Sequence, residues 1–178
     1  SRLEKNKLRL SSGPRIDDAA RRLAGEVVVE ASLVAGDADI DGRAIASQVQ
    51  GELKERIAAL KKRGIKPGLA FVRVGEDPAS KVYVGRKEKT SAELGIFSET
   101  HVLEETTREA ELLELLDRLN RDERYHGILV QAPLPGHIRE QTVFAFVRPE
   151  KDVDGFHPVN TGKLLLGDTS GFVPCTPA

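Results

Sequence analysis

The sequence predicts an α/β domain in which helices flank a mostly parallel sheet. From residue 39 onward, short segments rich in β-forming residues alternate with segments of helical periodicity. The strand segments are continuous apolar runs, which is typical of parallel strands covered on both faces. Three polar clusters follow predicted strands or the last predicted helix, and ligands of open α/β sheets bind beyond the carboxyl ends of the strands. We therefore expect one site at that edge of the sheet.

The first part of this regular pattern predicts a helix, a strand and a second helix. Asp41 can cap the first helix, which Gly64 ends. Its apolar positions recur every three or four residues, at Ile45, Val49, Leu53, Ile57 and Leu60. Residues 69–74 form a strand bounded by glycines. Pro78 suits the first turn of the next helix, which closes at Gly95.

The second part predicts two more strands and two more helices. A strand covers residues 96–103, and Thr106 with Glu109 matches a capping box that begins a helix. The buried face of that helix consists of leucines, at Leu112, Leu115, Leu116 and Leu119. Residues 127–131 read as another buried strand, and a shorter helix is expected over residues 139–147.

Composition excludes several classes of protein. The 27 basic side chains nearly balance the 28 acidic ones, which does not favour nucleic acid or an anionic membrane as the main partner. Apolar runs such as residues 128–130 are far shorter than the roughly 20 residues of a membrane span. The single cysteine, Cys175, cannot form an internal disulfide. We expect a soluble, cytoplasmic protein.

Residues 1–35 are the least informative part of the chain. They begin basic and contain serine, which would suit an organellar transit segment, but several acidic residues oppose that interpretation: Glu4, Asp17, Asp18 and Glu26. We interpret this stretch as an N-terminal extension, with a transit segment as the alternative. The chain contains no methionine and its last residues read like the lead-in to another element, so we expect a piece of a longer protein.

The first polar cluster lies on the helix that begins at Pro78. Ser80, Tyr83 and Lys87 are three and four residues apart, so a helix places them on one face. An aromatic ring and an amine together could hold a flat heterocycle and act on it. The alternative is a surface helix with a solvated lysine.

The second cluster follows the predicted strand at residues 127–131. Gln131 ends that strand, and Pro133 and Pro135 restrict the backbone after it. A glutamine there can orient a neighbouring polar group. Its alternative role is to satisfy backbone groups of the loop.

The third cluster is the acidic stretch that ends at Gly155. Glu150, Asp152 and Asp154 have the spacing of the first ligands of a calcium loop, but Thr161 stands where the bidentate glutamate belongs, so we reject calcium. Asp154 could form an ordinary Asx turn or accept a hydrogen bond from a ring N–H or amino group of a ligand.

Together these strings resemble the methylenetetrahydrofolate dehydrogenase/methenyltetrahydrofolate cyclohydrolases, and the resemblance covers residues 39–178. The motifs occur in the family's order and approximate spacing: Ser80-x-x-Tyr83-x-x-x-Lys87 with Gly95-Ile96, Val130-Gln131-x-Pro133-Leu134-Pro135, Lys151-Asp152-Val153-Asp154-Gly155 and Pro174-Cys175-Thr176-Pro177. The resemblance implies a folate-binding catalytic domain over residues 36–178 of a bifunctional enzyme of one-carbon metabolism.

The resemblance also implies roles for individual residues. Lys87 matches the cyclohydrolase lysine and Gln131 the residue that hydrogen-bonds and tunes it. Tyr83 matches the tyrosine that stacks on folate, and Asp154 the carboxylate that grips the pterin ring. Cys175 matches a pocket wall position without a catalytic role. The full set of substrate-binding residues implied is Ser80, Tyr83, Val84, Gly85, Arg86, Lys87, Val130, Gln131, Ala132 and Asp154.

The implied chemistry suits these residues. Water attacks the cationic amidinium carbon of methenyltetrahydrofolate, and a positioned lysine can move protons or stabilise the developing alkoxide. A free lysine has a pKa of about 10.4, so we hypothesise that partial burial and Gln131 adjust the proton affinity of Lys87.

The resemblance further implies oxidation of 5,10-methylenetetrahydrofolate with NADP, but the chain contains no glycine-rich dinucleotide loop after a strand. The loop at residues 74–78 has one glycine and two acids where phosphate would lie. The Rossmann cofactor domain is therefore expected outside this chain, and no metal is expected. A homodimer is implied as well. Two alternatives stay open: a non-catalytic folate-binding or dimerisation module, and a mainly NAD-dependent mitochondrial-type dehydrogenase.

Overall fold

The computed structural model describes Arg21, the backbone of residues 42–45 and residues 46–174 in full. Within this part the helices are α1 (Gly42–Lys62), α2 (Pro78–Leu94), α3 (Glu109–Arg121), α4 (Glu140–Phe146) and α5 (Pro158–Leu165). The strands are β1 (Gly68–Val74), β2 (Phe97–Leu103) and β3 (Gly127–Val130). Four features of the sequence analysis lie outside the described residues: the capping role of Asp41, the side chain of Ile45, the extension at residues 1–35 apart from Arg21, and Cys175.

The three described strands form one sheet in the order β2-β1-β3, and both strand pairs are parallel. A fourth segment adds a single parallel bridge beyond β3, between Ile128 and Asp152. The α/β class with a parallel sheet flanked by helices is thus confirmed.

Apolar side chains cover both faces of the sheet. On one face, α1 and α2 pack against β1 through residues that include Leu53, Ile57, Phe71 and Val84. On the other face, the leucines of α3 pack against alternate residues of β1 and β3. Burial on both sides explains why β1 is a continuous apolar run apart from Arg73.

Most predicted boundaries agree with the structure to within one or two residues. Gly64 and Gly95 adopt positive φ angles of 77° and 75° after α1 and α2, where a left-handed residue ends a helix. Pro78 begins α2, and the side chain of Asp77 caps it by accepting from the Ser80 N–H at 2.7 Å.

The capping box predicted at Thr106 and Glu109 is wrong. Helix α3 begins at Glu109, and its N-cap is Arg108, whose backbone N–H donates to the Glu111 carboxylate at 3.0 Å. Glu109 does not take part in the cap because its carboxylate accepts from the backbone N–H and the guanidinium of Arg139, at 2.9 and 2.6 Å. A tertiary contact has displaced the local one.

Helix α5 was missed, although Pro158 at its first position is a known start signal. His157 precedes it, and its Nδ1 accepts from the Val159 N–H at 3.0 Å. The segment is short and its apolar residues Leu164 and Leu165 are exposed, so helical periodicity is weak there.

Candidate functional site

The candidate site lies at the point in the sheet where the order of the strands reverses, between β1 and β3. After β1 the chain passes through α2 to β2 on one side, and it then returns through α3 to β3 on the other side of β1. Helix α2, which follows β1, and helix α4, which follows β3, cover opposite faces of the sheet, so the loops that leave β1 and β3 diverge. Such a reversal opens a crevice at the carboxyl ends of the strands, which is where ligands of open α/β sheets bind.

Helix α2 brings Lys87 to this crevice. The side chain lies on the buried face of the helix with Ser80, Val84 and Ser91, and Lys87 is only 8% exposed. Its Nζ donates to Oε1 of Gln131 at 3.3 Å, across 44 residues of sequence. The structure therefore joins the first predicted cluster to the second.

Gln131 follows β3 directly and is held in one orientation. Its backbone N–H donates to the carbonyl of Val72 at 2.8 Å, which continues the pairing between β3 and β1. Its side-chain Nε2 donates to the carbonyl of Ala132 at 2.7 Å, and this contact turns Oε1 toward Lys87. The amide thus offers an acceptor to the lysine rather than a donor.

Asp154 reaches the same place from the segment beyond β3. The Ile128–Asp152 bridge runs parallel to β3, so two residues farther along, Asp154 lies beside the carboxyl end of that strand. Burial is the main cause that raises the pKa of Asp154, the ammonium of Lys87 lowers it, and the charge of Asp152 adds a smaller increase, so that the pKa is about 7. The third predicted cluster is therefore within electrostatic reach of the first.

The remaining predicted site residues fall into two groups. Tyr83, Gly85 and Arg86 are exposed on α2, and Ala132 is half-buried in the loop after β3. Ser80, Val84 and Val130 are buried; Val84 packs into the core against α1, and Val130 packs against α3. Contact of these residues with a ligand stays a prediction.

The sequence analysis did not predict that three polar residues close to Asp154 in the chain are buried: Lys151, Asp152 and Asn160. Lys151 is fully buried, and its Nζ donates to the carbonyls of Leu119 and Asp122 at 3.0 and 2.8 Å, at the end of α3. Asp152 and Asn160 are also buried and contact each other at 2.8 Å. Only the unusual run of charges from Lys151 to Asp154 hinted at them in the sequence.

The loop after β1 does not offer a phosphate site. The guanidinium of Arg73 donates to the carbonyl of Gly75 and contacts Glu76 at 3.5 Å, and Lys81 also pairs with Glu76. The pKa of Asp77 is lowered because its carboxylate accepts from Ser80. An ionised carboxylate therefore occupies the helix N-terminus where an anion would bind.

Two kinds of feature are absent from the part of the chain that the structure describes. No group of three or more His, Cys, Asp or Glu side chains is arranged for a metal ion in residues 46–174. Within the described part of the chain, no helix has the length and apolar character that crossing a bilayer requires.

The arrangement combines a buried amine, an oriented amide and a carboxylate that titrates near neutrality. A carboxylate of this kind can accept hydrogen bonds from ring N–H and amino groups, and a positioned amine can move a proton or stabilise a developing oxyanion. These abilities suit a flat, nitrogen-rich heterocycle.

A family model for the tetrahydrofolate dehydrogenase/cyclohydrolase catalytic domain matches residues 40–154. The match contains Lys87, Gln131 and Asp154, and it ends at the last of the three.

Curated relatives support the same assignment. The bifunctional protein FolD of Moorella thermoacetica is 55% identical over 138 residues, which is 78% of this chain and 49% of that protein. The FolD of Geotalea daltonii is 54% identical over a stretch of the same length. The chain thus spans about half the length of the curated relatives that it matches.

Solved structures show the same fold. The bifunctional FolD methylenetetrahydrofolate dehydrogenase/cyclohydrolase of Campylobacter jejuni is 47% identical with a TM-score of 0.74, over 76% of this chain and 48% of that one. The Trypanosoma brucei enzyme, solved with NADP cofactor and an inhibitor, is 38% identical with a TM-score of 0.74, over 78% of this chain and 48% of that one. The chain belongs to the tetrahydrofolate dehydrogenase/cyclohydrolase family.

Proposed function

We propose that this chain is the folate-binding catalytic part of a bifunctional enzyme of one-carbon metabolism. The enzyme oxidises 5,10-methylenetetrahydrofolate to the methenyl form with NADP and hydrolyses that product to 10-formyltetrahydrofolate. The observation that carries the proposal is the convergence of Lys87, Gln131 and Asp154 at one edge of the sheet. The names of the relatives, which are bifunctional FolD proteins, support it.

In this proposal the pterin ring lies between α2 and the loop after β3. Asp154 accepts from the ring N–H and amino groups, and these donors favour its ionised form. Tyr83 is 42% exposed, so its ring has a face available for stacking on the folate. Ser80, Val84, Gly85, Arg86, Val130 and Ala132 complete the set of proposed contact residues.

Hydrolysis follows from the position of the amine. The oxygen of water bonds to the amidinium carbon, and Lys87 takes a proton that the water loses or stabilises the alkoxide that forms. An electron pair of that oxygen then forms the C=O bond of the formyl group as the bond from the carbon to N5 breaks. Of the two protons that the water loses, one ends on N5 and the other is released to solvent. Gln131 orients the amine through its Oε1 throughout these steps.

The described residues do not fit the nicotinamide cofactor. The loop after β1 carries the carboxylates of Glu76 and Asp77 where a phosphate would lie, and its Arg73 is already paired with Glu76. We therefore place the cofactor-binding residues outside the described part of the chain and derive no step of hydride transfer from it.

Replacement of Lys87 by glutamine tests the hydrolytic role. We expect Lys87→Gln to slow methenyltetrahydrofolate hydrolysis about 10²- to 10⁴-fold, which is the usual contribution of a positioned acid–base group. The assay follows loss of the methenyl absorbance, with thermal unfolding to show that the fold is kept. Lys89→Gln is the matched control because Lys89 lies on the same helix, is exposed and pairs with Glu93.

Equal hydrolysis by wild type and Lys87→Gln would reject the role of Lys87. Folate binding without turnover in the wild-type chain would instead favour the alternative of a non-catalytic folate-binding or dimerisation module. The homodimer implied by the resemblance and the cytoplasmic location expected from the composition stay predictions. Sedimentation measures the oligomeric state.

A further inference from the structure

The Asp152 carboxylate organises the chain on both sides of Asp154. Its Oδ2 accepts from the backbone N–H of His157 at 2.9 Å and from Nδ2 of Asn160 at 2.8 Å, and its Oδ1 accepts from the N–H of Phe156 at 3.3 Å. Nδ2 of Asn160 also donates to the carbonyl of Pro149 at 2.9 Å. One carboxylate thus ties the segment before the turn to the first turn of α5.

Backbone carbonyls of Lys151 and Asp152 fix the same turn to the sheet and close it. The N–H of Ile128 donates to the carbonyl of Lys151 at 2.7 Å, which anchors the segment against β3. The N–H of Gly155 donates to the carbonyl of Asp152 at 3.3 Å and closes the turn that contains Asp154. The position of Asp154 therefore depends on the backbone contacts of Lys151 and Asp152 and on the side-chain contacts of Asp152.

Asp152 itself cannot serve a ligand in this arrangement. It is 4% exposed, and both oxygens of its carboxylate are engaged by donors of the protein. By contrast, no described residue donates a hydrogen bond to the carboxylate of Asp154. The two acids of the motif therefore have separate tasks.

We propose that Asp152 is a positioning residue whose buried carboxylate fixes the turn that presents Asp154 to Lys87 and Gln131. As a statement about folate binding, this inference rests on the function proposed above. The positioning role itself rests only on the hydrogen bonds of the turn around Asp152, whether or not the chain binds folate. Asp152 has a second effect on the same group, because its negative charge lies close enough to disfavour ionisation of Asp154.

The test compares the titration of Asp154 in wild type and in Asp152→Asn. The carboxyl ¹³C resonance of Asp154 reports its charge directly. We expect its midpoint to fall by about one pH unit or more, because a nearby like charge is lost and the turn opens to water. We also expect the affinity for 5-formyltetrahydrofolate at pH 8 to fall about tenfold, with KM affected more than kcat.

Asp168→Asn is the matched control. Its Oδ1 accepts from the Ser170 N–H at 2.9 Å in an exposed turn after α5, so it is also a turn carboxylate that accepts a backbone N–H. It should leave both the Asp154 midpoint and the folate affinity at wild-type values. Asn160→Ala is a second test variant. It keeps Asp152 and Asp154 and the backbone N–H groups that donate to Asp152, and it removes only the side-chain donor. We expect it to weaken folate binding severalfold.

A folded Asp152→Asn chain with an unchanged Asp154 midpoint would overturn the inference. If the wild-type chain binds folate, an unchanged folate affinity in either Asp152→Asn or Asn160→Ala would also overturn the inference. The titration contains no folate, so a shifted midpoint in a chain that does not bind folate would keep the positioning role and reject the proposed function.

Discussion

Two groups of polar residues lie side by side in this fold and differ in how their hydrogen bonds are arranged. The support cluster consists of Lys151, Asp152 and Asn160, whose side chains contact backbone groups or one another deep in the protein. The ligand cluster consists of Lys87, Gln131 and Asp154.

The carboxylates show the contrast most clearly. Asp152 accepts three hydrogen bonds from donors of the protein. Asp154, two residues farther along, is pushed by burial to a pKa of about 7. Within the described part of the chain no donor compensates the burial of this carboxylate, and a ligand with N–H groups would supply such donors.

The lysines show the same contrast. Burial lowers the pKa of Lys151 to about 8, and its amine donates to two carbonyls at the end of α3, where the helix dipole favours a cation. Lys87 donates instead to Gln131, a side chain in the loop after a strand. One amine joins elements of the fold, and the other lies at the edge where a ligand can bind.

The largest loss of stability is expected at Gly155, which closes the turn that contains Asp154. Its φ angle is 73°, and an added Cβ would lie 2.9 Å from the backbone N of Pro174 and 3.0 Å from the carbonyl oxygen of Phe172. We expect Gly155→Ala to lower the free energy of unfolding by about 3 kcal/mol, measured by urea denaturation. A loss below about 0.5 kcal/mol would mean that the turn adapts freely.

Replacement of the two lysines by methionine should separate the clusters. Lys151→Met leaves two buried backbone carbonyls without their donor, so we expect a loss of about 2 kcal/mol in the free energy of unfolding. Lys87→Met should change that free energy by less than about 1 kcal/mol while abolishing hydrolysis. Equal losses of stability in the two variants would remove the distinction between support and ligand residues.

Asp154→Asn should stabilise the protein at pH 8. The pKa of Asp154 is raised above its unfolded value, so the folded state holds more protons between pH 4 and pH 7, and stability is lost as the pH rises through that window. The variant should gain up to about 4 kcal/mol over wild type at pH 8 and almost nothing at pH 4. A gain that does not depend on pH would contradict the assignment.

The smallest effect comes from a pair of helical glycines. Gly51 in α1 and Gly85 in α2 are both exposed, and an added Cβ at either would meet nothing within 4 Å. Each change to alanine should raise the free energy of unfolding by about 0.5–1 kcal/mol. If folate contacts Gly85, only Gly85→Ala should also raise KM, and an equal KM in both variants would remove Gly85 from the proposed contact set.

The elements that local sequence determines were predictable. Pro78 and Gly95 bound α2 because one fits the first turn of a helix and the other tolerates a positive φ angle. The apolar runs of β1 and β3 identified a sheet covered on both faces. The motif resemblance alone predicted that Lys87, Gln131 and Asp154 belong to one site.

What could not be predicted depends on partners far apart in the chain. Lys151 donates to a carbonyl 32 residues away, and Arg139 binds a carboxylate 30 residues away and so takes Glu109 out of its expected cap. No periodicity or spacing rule carries such pairings. The different roles of Asp152 and Asp154 could not be predicted either, because the two residues are of the same type and lie in the same short motif. Only the hydrogen bonds of Asp152 in the folded chain distinguish them.

The most direct test of the account is the pH dependence of folate binding. Calorimetric titration with 5-formyltetrahydrofolate from pH 5 to pH 9 should show affinity rising by up to tenfold per pH unit below about pH 7 and levelling above it, as Asp154 ionises. Asp154→Asn should bind more weakly at pH 8 and lose that slope. An affinity that does not change across this range in wild type, or a slope that persists in Asp154→Asn, would contradict the claim that Asp154 grips the ligand.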